Sequence, residues 1–231
     1  MILGKQTKSL WIKTVLILSL VMLMPSGAGG SDPAQESTGC FDRDDLEKYD
    51  VDERRQILFR SKPIINSFWT EAPDIRLCRE SGVTESRARQ AVRYWERLGY
   101  EFGELIVERQ GSQRCSGEGL TGEITILLPT SETPLGQNLA MTRNMILTES
   151  RIMLKSLIHI MPYSASKPLV LEHEIGHALG WRHYNRSYHI MHSTYTRVGH
   201  TSTGVAYREY QSEIFRISPQ PSFSEDQSVN P

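Results

Sequence analysis

The sequence predicts a mixed α/β fold of the α+β kind, in which a twisted sheet packs on helices. Three observations predict it. Short strand-like apolar runs are spread between residues 74 and 161, and they are interrupted by a segment with helical period. One of these runs, Ile124-Thr-Ile-Leu-Leu128, is apolar enough to be covered on both faces, as strands of parallel sheets are. A second helix pattern, near Leu171 to Leu179, carries histidines on one side and Leu171, Ile175, Ala178 and Leu179 on another. The chain has 231 residues, 39% hydrophobic and 23% charged, which excludes collagen-like, coiled-coil and wholly disordered classes. A formal net charge of −1 argues against nucleic-acid binding, which wants a basic surface. Three Cys are too few for a disulfide-built scaffold.

Residues 1–30 have the three zones of a secretory signal peptide. Lys5, Lys8 and Lys13 are followed by the apolar run Val15 to Met24, and then by the small residues of Pro25-Ser-Gly-Ala-Gly-Gly30. The alternative is an uncleaved anchor helix, but a membrane span needs about 20 apolar residues and Lys13 stops this one from lengthening. A secreted or periplasmic protein with no membrane attachment after cleavage is therefore expected. Export permits disulfides. Cys78 and Cys115 are expected to pair, leaving Cys40 as the odd thiol; the alternative is that all three stay reduced.

Residues 31–60 are dense in charge, as in Asp42-Arg-Asp-Asp-Leu-Glu-Lys-Tyr-Asp50, and are expected to be a solvated linker or pro-segment. The folded body is expected over 61–217. Asp74-Ile-Arg-Leu-Cys78 alternates and reads as a strand. Thr84 can cap a helix on which Val83 staples to Ala88. Ala88, Ala91, Val92, Trp95 and Leu98 form its apolar face, and Gly99 ends it. Leu105 to Val107 and Ile152 to Met161 read as further strands. Thr130 to Gly136 is rich in turn residues. Val205 to Ile217 can form a short closing helix, and 218–231, rich in Pro and Ser, is expected to be a disordered tail.

The chemistry is concentrated in Leu171-Glu-His-Glu-Ile-Gly-His-Ala-Leu-Gly-Trp-Arg-His183, an H-E-x-x-H motif extended to H-E-x-x-H-x-x-G-x-x-H. Residues four apart lie one turn apart on the same helix face, so His173 and His177 can aim two imidazoles at one ion. Ser166 is expected to cap this helix, with Pro168 in its first turn. Gly180 can take the left-handed turn that leaves the helix and brings His183 back as a third ligand. Three neutral imidazoles with an open fourth position are the donor set of one catalytic Zn2+. Such an ion lowers the pKa of its water from 15.7 toward about 7. Glu174, next to the first ligand, can then take the water's proton and later pass it to the leaving amine.

This constellation resembles the metzincin clan of zinc endopeptidases. The residues that carry the resemblance are His173, Glu174, His177, Gly180 and His183, with Met191 in a Met-turn, Tyr188-His-Ile-Met-His192. The resemblance implies that the three His bind zinc, that Glu174 is the general base, and that Met191 lies under the metal as a packed floor without ligating it. It further implies a five-stranded mixed sheet over two long helices, a small C-terminal subdomain, and a cleft along an edge strand. That strand is expected near Thr133–Thr142 or Ile146–Ser150. The spacing from His183 to Met191 is similar to that of matrixins. Those proteins, however, have Ser or Thr after the third His and Tyr-Pro after the Met, where this chain has Tyr184 and His192-Ser193. Ile190-Met-His192 is similar to astacins, but their tyrosine two places after the Met is Ser193 here, and their Glu after the third His is Tyr184. The clan is assigned and the family within it left open; the extra tyrosine ligand of astacins is not carried over.

The function expected is that of an exported zinc-dependent endopeptidase, a monomer that hydrolyses protein or peptide substrates. The alternative from another class is an exported zinc-binding recognition module without proteolysis. No loop has the EF-hand spacing, which leaves structural Ca2+ undetermined. His189 and His192 flank the Met-turn and are candidates for substrate contact, with loop-stabilising roles as the alternative. Tyr188 and Tyr195 are candidate oxyanion donors, with packing as the alternative. His159 and His200 stand apart from the motif. Asn185-Arg-Ser187 is a glycosylation sequon whose glycan would crowd the cleft. Cys40 upstream offers a thiolate that could close the fourth zinc position, although the latency motif that surrounds such a Cys in matrixins is absent. Substrate preference is expected to come largely from Ser193 to Val205.

Overall fold

A computed structural model describes residues 62–218, other than 132 and 134, together with the main chain of Gln35–Ser37. The expected signal peptide, Cys40 and the tail beyond Ser218 lie outside the described residues. Six strands form one sheet: β1 (Gln35–Ser37), β2 (Asp74–Leu77), β3 (Leu105–Val107), β4 (Glu123–Leu127), β5 (Ala140–Leu147) and β6 (Ile152–Ile160). Their spatial order is β1-β5-β6-β4-β2-β3. β3, β2, β4 and β6 run parallel to their neighbours, while β5 pairs antiparallel with β6, and β1 antiparallel with β5.

The sheet therefore has one strand more than the five expected. Gln35, Glu36 and Ser37 lie opposite Met145, Asn144 and Arg143. Edge pairing of this kind uses main-chain groups, so the charge-dense sequence gave no side-chain pattern for it. The strand that overlaps the ends of both segments expected for the edge is β5, and it coincides with neither; it is not at the edge of the sheet, because β1 pairs along its outer side. β4 is buried at all five positions, but it starts at Glu123 and ends before Leu128, which the expected run included and which is 38% exposed.

Three α-helices accompany the sheet: α1 (Glu85–Glu96), α2 (Val170–Ala178) and α3 (Tyr207–Ile217). The Thr84 hydroxyl accepts from the Arg87 N–H, closing the first turn of α1 as a Thr cap should. Ala88, Ala91, Val92 and Trp95 are buried, and Leu98 packs against the core from just past the helix end. Gly99 ends α1 as expected: it is left-handed (φ 95°), its N–H returns to the Glu96 carbonyl at 2.9 Å and the Tyr100 N–H to the Trp95 carbonyl at 3.2 Å, the bonds of a Schellman turn.

One core lies between the sheet and the helices. It is built from Ile75, Leu77, Ile124, Ile126, Ile158 and Ile160 on the strands and from Leu171, Ile175 and Trp95 on the helices. On the other face a smaller cluster joins Leu127 and Leu157 to Cys78. There Cys78, just after β2, is bonded to Cys115, with Cα atoms 5.8 Å apart. The same end of the sheet holds a buried charge network in which the Arg76 guanidinium donates to the carboxylates of Glu123 and Glu108. Among the described residues, no helix is long and apolar enough to cross a membrane.

Candidate metal centre

The expected start of α2 was wrong. The helix begins at Val170, and its N-cap is Leu169, left-handed (φ 62°) and without a side-chain cap. Ser166 and Pro168 fall in the preceding turns. Tertiary packing overrides the local capping preference: all nine residues of α2 are buried, so its position is set by what surrounds it. The carboxylate of Glu172 receives both terminal nitrogens of Arg87 on α1, and its main-chain carbonyl receives the Trp95 indole N–H at 2.8 Å. At the other end, Asn144 Nδ2 donates to the His177 carbonyl and Trp69 Nε1 to the Ala178 carbonyl, both at 2.8 Å. These are carbonyls that a helix end leaves without intrahelical partners.

The helix exit is a Schellman turn. Gly180 is left-handed (φ 97°), its N–H returns to the His177 carbonyl at 2.8 Å, and the Trp181 N–H reaches the Gly176 carbonyl at 3.0 Å. A side chain at 180 would meet the Ser67 carbonyl oxygen at 2.0 Å, so the position requires glycine for space as well as for conformation. The turn carries His183 back toward the helix. Nε2 of His177 lies 3.0 Å from Nε2 of His173 and 3.1 Å from Nε2 of His183.

The protonation of two rings follows from their outer contacts. His173 Nδ1 faces the Ile190 carbonyl at 2.6 Å, and His177 Nδ1 faces the Trp181 carbonyl at 2.7 Å. A carbonyl only accepts, so both Nδ1 atoms carry the proton and both Nε2 atoms present lone pairs. Lone pairs facing one another at 3.0 Å repel unless a cation lies between them. Tetrahedral zinc with Zn–N of 2.0–2.1 Å sets its nitrogens about 3.3 Å apart, so the spacing and chemistry of this donor set fit that ion. Burial depresses His173 to about 4 and His177 to about 3, and also lowers His183, so the rings are neutral at pH 7, as ligation requires.

Glu174 is 4% exposed and lies on the wall of a cavity of about 780 Å³, together with His173. Burial raises its carboxyl to about 7, against the opposing hydrogen bond from Thr142. Met191 is fully buried and packs against Gly176, where an added Cβ would meet its sulfur at 2.3 Å. The Met-turn is tied to the main chain: the Tyr184 N–H donates to the Met191 carbonyl, and the Ile190 N–H to Thr201.

The flanking candidates separate. His189 is a fully buried loop residue: its Nδ1 accepts from the Met191 N–H and its Nε2 donates to the Thr203 carbonyl. His192 lines the cavity, with its Nδ1 accepting from the Thr194 N–H at 3.0 Å. Tyr195 also lines it, whereas Tyr188 is 72% exposed on the outer turn. His159 is buried on β6 beside Thr133, and His200 is exposed. Asn185 Oδ1 accepts from both the Ser193 N–H and the Ser193 hydroxyl. Of the segment expected to set preference, Ser193, Thr194, Tyr195 and Val198 reach the cavity. Sequence reasoning missed Thr142 and Asn144. Both are buried polar residues on β5 that hold α2, and the only signal for them was a pair of polar side chains two apart within an apolar run.

The fold and the histidine constellation are of the metzincin kind. Within that clan the matrixin family model matches residues 28–210, and the chain belongs to the matrixin family. The astacin features noted in the sequence do not decide the family. No curated protein matches the chain. Among solved structures it is similar to metalloproteinase-II from Bacteroides fragilis, at 17% identity and a TM-score of 0.41, over 70% of this chain and 59% of that one. The chain thus spans less than two thirds of that protein's length.

Proposed function

We propose that this matrixin is an exported zinc-dependent endopeptidase in which Glu174 is the general base. The observation that carries the reading is the convergence of three imidazole Nε2 atoms beside a buried carboxyl on a cleft wall. His173, His177 and His183 would hold the metal, with the Ile190 and Trp181 carbonyls keeping two rings in the required tautomer. Bound zinc supplies Lewis-acid polarisation and makes water acidic enough to deprotonate near neutral pH. Glu174 takes that proton on its carboxylate and later gives it to the amine of the departing peptide.

An extended peptide would lie along β5, adding to its edge by main-chain pairing. Gln35–Ser37 already pairs antiparallel with Arg143–Met145, so the peptide would pair with β5 before Arg143. Gly136 to Leu139, a turn leading into β5, line the cavity together with Glu174. Export rests on the signal-like residues 1–30, and N-terminal sequencing of the exported protein should give a start near residue 31. Two measurements test the activity. Glu174→Ala should keep zinc but lose at least about 100-fold in kcat; turnover equal to wild type would refute the mechanism. Phenanthroline should abolish cleavage of an unfolded protein, and added zinc should restore it. A chain that binds zinc yet cleaves nothing would point to the recognition module instead.

A further inference from the structure

We propose that Thr142 is the positioning residue of the general base; this rests on Glu174 having that role. Thr142 is fully buried on β5, and its Oγ1 lies 2.6 Å from Glu174 Oε2 and 3.1 Å from the main-chain carbonyl oxygen of the same residue. Both contacts hold the hydroxyl against Glu174. The hydroxyl donates to Oε2, which stays an acceptor both in the carboxylate and after Oε1 has taken the proton from water. One side chain thus holds the carboxyl in a single orientation before and after proton uptake. With Oε2 engaged, Oε1 is the oxygen left for water. No proton needs to pass through Thr142: the water O–H breaks as the Glu174 O–H forms, and the Glu174 O–H later breaks as the amine N–H forms.

The neighbouring pattern supports a purpose-built contact. Two residues along the same strand face, Asn144 bridges the Ser156 hydroxyl (2.7 Å) and the His177 carbonyl (2.8 Å). β5 therefore grips α2 at the base and again beside the second histidine, while its edge accepts a strand. The peptide-pairing strand and the proton-transferring carboxyl are joined through two buried polar side chains.

The test compares Thr142→Val, which keeps the branched shape and removes the hydroxyl, with Thr142→Ser, which restores it. The Val variant should lose about 10- to 100-fold in kcat, the scale of a small misplacement of a reacting group. Its KM and zinc content should match wild type, and its crystal structure should show the Glu174 carboxyl turned from its wild-type orientation. The Ser variant should recover to within about threefold. If Val does not fold, Thr142→Ala read against Ser serves the same comparison. An unchanged kcat in the Val variant, or equal losses in Val and Ser, would overturn the proposal. Glu174→Gln keeps the two readings apart. Full turnover by that variant would remove the base itself, whereas an inactive Gln variant beside a fully active Val variant would remove only the role of Thr142.

Discussion

At the scale of single residues, two glycines make room in the site, and a histidine outside it is kept neutral by burial. Gly180 combines a left-handed backbone with a 2.0 Å approach to the Ser67 carbonyl. Gly180→Ala should therefore cost at least about 2 kcal/mol and weaken zinc binding, because Trp181 and His183 follow the turn; denaturant unfolding and metal titration would measure both. Gly176 has no such backbone constraint but lies against Met191 and Trp95, which an added Cβ would meet at 2.3 and 2.7 Å. Gly176→Ala should cost about 1–3 kcal/mol as overpacking. His159 lies away from the metal site, and burial lowers it to about 4 from an ordinary 6.5. Between those values the unfolded chain takes up a proton that the folded chain refuses. The stability contribution is thus fully present above pH 6.5 and is lost as pH falls toward 4. His159→Gln should flatten the wild-type decline between pH 7 and 5 by up to about 1.4 kcal/mol per pH unit, measured by urea unfolding.

At the scale of elements, α2 is held from outside. Arg87 from α1 pairs with Glu172, and both side chains are largely buried. Arg87→Met should leave an uncompensated carboxylate and cost about 3–5 kcal/mol, whereas changing both partners to Met should cost much less; a double-mutant cycle would show the difference. The disulfide closes a separation of 37 residues between the end of β2 and the loop before β4. Its reduction should lower stability by about 3–4 kcal/mol with zinc content unchanged, since the bond lies on the face away from α2. The elements that were legible in the sequence are those whose own side chains set their pattern. α1 has a single apolar stripe and a Thr cap, and β4 has Ile124, Ile126 and Leu127 within five residues. β5 was not legible, because two of its core-facing positions, Thr142 and Asn144, are polar in order to bond α2, which inverts the expected alternation. The start of α2 was misread because Leu169 takes a left-handed conformation that local sequence disfavours.

For the whole molecule, the H-E-x-x-H-x-x-G-x-x-H spacing placed the three converging histidines and the helix exit, since helical geometry alone fixes the first two and a single glycine redirects the third. The residues that orient these groups could not be read from the sequence. They come from β5, from α1 and from Ile190 just before Met191, and only tertiary contact brings them to α2. The central claim is that His173, His177 and His183 gather one zinc ion beside Glu174. The most direct measurement is an anomalous-scattering crystal structure of the zinc-loaded protein, recorded at the zinc absorption edge. The account predicts a single strong peak with Zn–N distances of about 2.0–2.1 Å to all three Nε2 atoms. A peak elsewhere, or one ligated by His173 and His177 with the ring of His183 turned away, would contradict it.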